Sequence, residues 1–213
     1  MEIKRIVFAP IILILILMAC NSDEHKTDFQ TGDILFRGRL DSSLSKAIDA
    51  VTQTDEKHHY THMGVVEVVN DTVWVLHAAP GKGVCKELLS ELYEAEDSML
   101  VVGHFRIKEI NQTTVEKALL LANEKMGEPY NYSYIMEDSG YYCSEYLYEI
   151  YKGDSVFQLN PMTFIDPVVG DFHDGWIKHY NDLGISIPEG QPGCNPNGMA
   201  ANKRLEFLRL LNE

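Results

Sequence analysis

The sequence predicts a single α+β domain in which an antiparallel sheet, or a small barrel, packs on helices. Three observations carry this. Two β-rich runs flank Asn70-Asp71 in THMGVVEVVNDTVWVLHAAPG (61–81), a hairpin pattern. Thr113-Thr114-Val115-Glu116 reads as a capping box before a helix with Val115, Ala118, Leu119, Ala122 and Met126 on one face. A second helix is predicted from about Ser139–Cys143 to about Tyr151.

The elements follow in order. TGDILFRG (31–38) reads as a short strand after a turn, and Leu40–Val51 has apolar residues at helical spacing. In the hairpin, Asn and Asp tolerate the left-handed backbone that a two-residue loop requires. With Asn70 and Asp71 as that loop, Gly64 falls opposite His77 and His62 opposite Ala79. Side chains alternate between faces, so His62, Gly64, Val66 and Val68 share a face with Val73, Val75, His77 and Ala79. The two histidines then sit diagonally, roughly 7–8 Å apart at the backbone. Met99–Ile107 is a further strand, Gly127 ends the helix after Thr113, and the tail from Phe157 to Gly193 reads as loops with short helices.

Residues 1–19, MEIKRIVFAPIILILILMA, are an export signal rather than fold: a short basic start, then an apolar run too short to span a bilayer. Leu17-Met18-Ala19-Cys20 resembles a bacterial lipobox, which implies lipidation at Cys20 and a lipid-anchored protein of the cell envelope. Residues 20–30 are polar and acidic, a flexible tether, and 31–213 form the one folded domain. The chain carries a net charge of −14, and −15 once Glu2, Lys4 and Arg5 leave with the leader. Such a surface repels phosphate backbones and anionic lipid, which excludes nucleic acid and leaves the lipid as the only tie to a membrane.

With Cys20 set aside, Cys85, Cys143 and Cys194 remain, an odd number without zinc spacing. Cys85 and Cys194 are either a disulfide or two buried thiols. HHxxH at His58, His59 and His62 lacks an acidic residue to complete a metal pattern, and the acidic runs 94–97 and 137–138 read as exposed faces; no metal or cofactor is expected.

Cys143, in YYCSEYLYEIY (141–151), stands at a predicted helix start. There, peptide N–H groups can lower a thiol pKa to roughly 3.5–7.5 and hold an oxyanion. A cysteine so placed, with two histidines on one sheet face, has the parts of a thiol hydrolase. Tyr142 beside it either lines a site or is a core aromatic. The segment PEGQPGCNPNG (188–198) is either a rim over the site or a surface wrap.

TGDILF (31–36), THMGVV (61–66), VLHA (75–78), GEPYN (127–131) and YYCSEYLYE (141–149), in this order, resemble the YiiX-like hydrolases, circularly permuted relatives of the NlpC-type, papain-like cysteine hydrolases. The resemblance implies a permuted papain-like fold, Cys143 as nucleophile, His62 as general base and His77 as the residue orienting His62. His77 departs from the glutamate common at that position among the nearest relatives. The implied substrate is an amide, for example in cell-wall peptide, with Tyr142 and Gly64 as candidate substrate-side residues. An acyl-ester substrate, as in the lecithin retinol acyltransferase-like enzymes, and a catalytically silent binding protein are the alternatives. An apolar pocket beside Cys143 would favour acyl chains, and a polar groove peptides.

Overall fold

The computed structural model describes residues 28–93 and 101–211. The predicted leader, Cys20, most of the tether and the acidic run 94–97 lie outside these residues.

Six strands form one antiparallel sheet. In chain order these are β1 (Ile34–Gly38), β2 (His62–Val69), β3 (Thr72–Ala79), β4 (Gly83–Leu88), β5 (Val101–Ile107) and β10 (Leu205–Leu210). Their order across the sheet is β10-β5-β1-β2-β3-β4. Between β1 and β2 lies helix α1 (Ser43–Thr52), and between β4 and β5 the short α2 (Leu89–Tyr93). After β5 come α3 (Gln112–Glu124), α4 (Cys143–Tyr151) and α5 (Asp174–Leu183), and α6 (Pro196–Ala200) precedes β10. Two small ladders join β6 (Asn160–Pro161) to β9 (Pro192–Gly193) and β7 (Ile165–Asp166) to β8 (Asp171–Phe172). No helix among the described residues is long and apolar enough to cross a membrane.

The β2–β3 hairpin turns at Asn70 (φ 48°) and Asp71 (φ 60°), both left-handed, with Val69 opposite Thr72 as predicted. The predicted ladder, however, stops early: β2 pairs with β3 only as far as Val65–Leu76. Residues His62–Gly64 stay paired with β1 but not with β3.

Caps decide where two helices start. α1 begins at Ser43 rather than Leu40, because Ser42 and Ser45 form a reciprocal capping box with side chain to backbone distances of 3.0 and 3.1 Å. α3 begins at Gln112, because the Asn111 side chain accepts the Thr114 N–H at 2.9 Å, which displaces the predicted Thr113 cap.

One face of the sheet carries the main core. Ile34, Phe36, Met63, Val65 and Leu76 meet Tyr146, Leu147, Ile150 and Tyr151 from α4. Helix α4 lies on β2 and β3, and the Tyr146 hydroxyl ties it to α3 through the Ala122 carbonyl at 3.0 Å. Leu147 is fully buried, so Leu147→Ala removes about 2–5 kcal/mol. The opposite face holds a smaller cluster of Leu35, Val66, Val75, Leu92 and Val102.

Candidate active site

Cys143 is the first residue of α4, and two segments fix it there. Tyr141 N–H donates to the Pro129 carbonyl at 3.0 Å, and Asn131 N–H to the Tyr141 carbonyl at 3.2 Å. The buried Glu145 carboxylate then accepts the Tyr142 N–H at 3.1 Å and the Asn131 side-chain N–H at 3.2 Å. GEPYN (127–131) and the helix start are thus sewn together. On the other side, the Ser144 hydroxyl donates to the Cys194 carbonyl at 3.0 Å and brings in the loop 188–198.

The Cys143 thiol faces the backbone N–H groups of Met63, Ser144 and Cys143 itself. Met63 is the residue after His62 and lies where β2 has parted from β3. The Met63 N–H, not part of the ladder with β3, is thus among the groups that meet the sulfur.

His62 and His77 meet directly. His62 Nε2 lies 2.6 Å from His77 Nδ1, with the rings edge-on at 74°. His77 Nε2 lies 3.0 Å from Glu87 Oε2, and the second Glu87 oxygen holds the Lys82 ammonium. Glu87 stands opposite Val75 on the same face as His77, because β4 alternates. Gly64 belongs to this arrangement for steric reasons. A Cβ at Gly64 would come within 2.6 Å of Val75 Cγ1 and 3.1 Å of His77 Cβ.

The protonation states follow from burial. His62 and His77 are 5% and 2% exposed. Burial favours the neutral form of both, most strongly at His62, and the Arg37 guanidinium, paired across the strands from His62, adds to this; Glu87 opposes it at His77. Cys143 departs from expectation. Instead of a lowered pKa, burial pushes its thiol up to about 11, outweighing the N–H groups that favour thiolate. At 5% exposure, lost hydration outweighs three hydrogen bonds.

Glu87 also sets the tautomers. A carboxylate can only accept, so His77 carries its proton on Nε2 and leaves Nδ1 as an acceptor. His62 must then donate from Nε2, and its Nδ1 keeps a free lone pair. Glu87, Lys82 and Arg37 are absent from the reading of motifs. Glu87 becomes legible once Gly83–Leu88 is seen as a strand after the Pro80-Gly81 turn, since Cys85 and Glu87 then face the His77 side.

Tyr142 is 2% exposed, sends its hydroxyl to Met136 Sδ at 3.3 Å and presents part of its ring to a cavity at Cys143. The loop 188–198 contributes Gly193, Cys194, Asn195 and Pro196 to the same cavity, so it is a rim rather than a wrap. Cys85 and Cys194 are free thiols. The HHxxH histidines diverge: His58 stacks near Phe207, His59 pairs with Asp49 at 3.1 Å, and His62 bonds to His77. Ligand atoms of His77, Cys85 and Glu87 lie within 4.8 Å of one another, a donor set that zinc accepts. His77 and Glu87 engage those atoms with each other, and Lys82 already places a cation on Glu87. The trio fits a hydrogen-bonded chain better than a metal.

Residues 28–209 match the family described as permuted papain-like amidase enzyme, YaeF/YiiX, C92 family. The uncharacterized protein YiiX of Escherichia coli (strain K12) is 31% identical over 123 residues, 58% of this chain. The match spans 57% of that relative's length. The crystal structure of metalloprotein YiiX from Escherichia coli O157:H7 superposes with a TM-score of 0.68 at 24% identity, over 84% of this chain and 96% of that one, a likeness of fold.

Proposed function

Because the chain belongs to the permuted papain-like amidase family, we propose that it hydrolyses an amide bond with Cys143 as nucleophile and His62 as general base. One observation carries this reading: the run Glu87–His77–His62, which leaves His62 Nδ1 as an unprotonated base on the residue adjoining Met63, whose N–H meets the thiol.

Both partners start neutral, so the thiolate forms during attack rather than beforehand. The Cys143 proton passes to His62 Nδ1 as the sulfur–carbon bond to the carbonyl forms. The N–H groups at the start of α4 take up the oxyanion charge. Collapse of the tetrahedral adduct breaks the carbon–nitrogen bond, and His62 gives its proton to the departing amine. Water, deprotonated by the same nitrogen, then cleaves the thioester. His77 keeps the His62 ring in place, and Glu87 keeps His77 in the required tautomer.

A peptide of the cell wall is the proposed amide source. The uncharged cavity at Cys143 keeps a short-chain acyl ester as the second reading. Lipid attachment at Cys20 is a separate part of the proposal, checked by the mass of the N-terminal fragment from membrane-purified protein. The hydrolytic part is checked with a panel of peptide amides and acyl esters. Cys143→Ala and His62→Ala should each abolish turnover with the fold intact, and a variant with full activity would remove its residue from the mechanism.

A further inference from the structure

The cavity that reaches Cys143 has a volume of about 120 Å³. No Asp, Glu, Lys, Arg or His lines it. Its apolar wall is built by Val51 of α1, Tyr134, Met162, Phe164 and Trp176. The aromatic rings brace one another, Trp176 edge-on to Tyr134 at 5.3 Å and to Phe164 at 4.9 Å. Two polar tips are engaged by the protein: the Trp176 indole N–H donates to the Ala47 carbonyl at 3.2 Å, and the Tyr142 hydroxyl bonds to Met136 and accepts the Cys194 N–H at 3.3 Å. Uncharged polar residues such as Thr61, Asn160 and Asn195 share the lining, but the space beside Cys143 is lined mainly by apolar surface.

We infer that this cavity is the acyl-side specificity pocket, taking one compact, uncharged apolar group next to the scissile carbonyl, such as an aromatic or branched aliphatic side chain. This rests on the hydrolase reading. During thioester formation the acyl group stays bonded to Cys143 Sγ, so the substituent beside its carbonyl occupies space continuous with the sulfur. A charged group there would lose its hydration without meeting a counter-charge. Size argues against a long acyl chain. An apolar cavity of about 150 Å³ admits one benzene, and pockets for whole ligands run to about 300–1,000 Å³. Of the two substrate sources, the pocket selects a peptide-like amide with an apolar residue over a long-chain lipid.

The test uses N-acetyl-aminoacyl chloromethyl ketones, which alkylate the thiol as chloride leaves, with iodoacetamide as an unshaped control. Labelling of Cys143 is followed by intact mass and peptide mapping at pH 9. Phenylalanyl and leucyl reagents should label roughly ten- to hundredfold faster than the glycyl one, the effect of burying one such side chain. Lysyl and glutamyl reagents should show no such gain. A dodecanoyl chloromethyl ketone should gain nothing over a butanoyl one. Val51→Glu, checked for folding by circular dichroism, should erase the phenylalanyl and leucyl advantage while iodoacetamide still reacts. Equal rates across side chains, or rates rising steadily with chain length, would overturn the pocket assignment and leave the hydrolase reading standing. No iodoacetamide labelling of Cys143 even at pH 10 would overturn both.

Discussion

Glu87 Oε2 and His77 Nε2 lie 3.0 Å apart, and that contact fixes which nitrogen of His62, one residue further along, can take a proton. Glu87→Gln tests the relationship with almost no change of shape. A glutamine amide that donates to His77 reverses both tautomers and puts a proton on His62 Nδ1. The expected result is a fall in kcat of about 10²-fold or more with KM little altered, since the variant touches proton transfer rather than binding. A fall confined to KM would mean that Glu87 only supports the pocket.

His77→Ala should lower kcat/KM by up to about 10⁴-fold, the effect of losing the residue that orients a catalytic histidine. His77→Glu should retain part of the activity, because a carboxylate can accept from His62 Nε2 just as His77 Nδ1 does. Steady-state kinetics on the two variants separates orientation from packing: equal losses would point to packing.

The thiol gives a pH prediction of definite sign. Its pKa is pushed up to about 11, so the thiolate fraction of the resting protein is small at neutral pH and grows as pH rises toward that value. Iodoacetamide labelling of Cys143 should be slow at pH 7, accelerate steadily to pH 10, and respond little to His62→Ala. Rapid labelling below pH 7 that slows in His62→Ala would instead indicate a preformed thiolate–imidazolium pair.

Burial, reinforced by Arg37, keeps His62 neutral well below the usual histidine range. The acid side of the kcat/KM profile should therefore fall off only well below pH 6.5. In Arg37→Met the loss should begin at higher pH, because a repelling charge is gone. An unchanged acid limb would remove Arg37 from the electrostatics of the site.

Glu145 offers a stability test. Burial raises its pKa from 4.5 to about 7. A folded pKa above the unfolded one means that its contribution is fully present below pH 4.5 and is lost as pH rises through about 7, on the order of 3 kcal/mol before solvent screening. Glu145→Gln can still accept from Tyr142 and Asn131, so its melting temperature should exceed the parent's at pH 8.5 and match it near pH 4.5. A stabilisation that grows toward acid pH would reverse the assignment.

The local parts of the fold were legible in the sequence. Asn70-Asp71 placed the turn, alternation put His62 and His77 on one face, and the apolar spacing after Thr114 marked a helix. What escaped depends on contacts between distant segments. Alternation could not reveal that β2 leaves β3 after Val65, and nothing in LEFLRL (205–210) announced that it would return to pair with β5. The raised pKa of the thiol escapes for a related reason: position at a helix start is local, whereas burial among segments distant in the chain is not. Glu87 was hidden because its meaning depends on His77 lying across the ladder.

The parting of β2 from β3 also bears on when the protein becomes chemically competent. The His62–His77–Glu87 run lies within residues 62–87, and the thiol proposed as nucleophile arrives at 143 on the helix that packs on β2 and β3. Closure of the cavity waits for residues 193–196, and β10 completes the sheet at 205–210. During synthesis the histidine pair is made before the sulfur, so a product truncated before α4 would hold the proposed base without the proposed nucleophile. Two fragments divided between β5 and α4 would each be inert alone, and their reassociation would restore turnover.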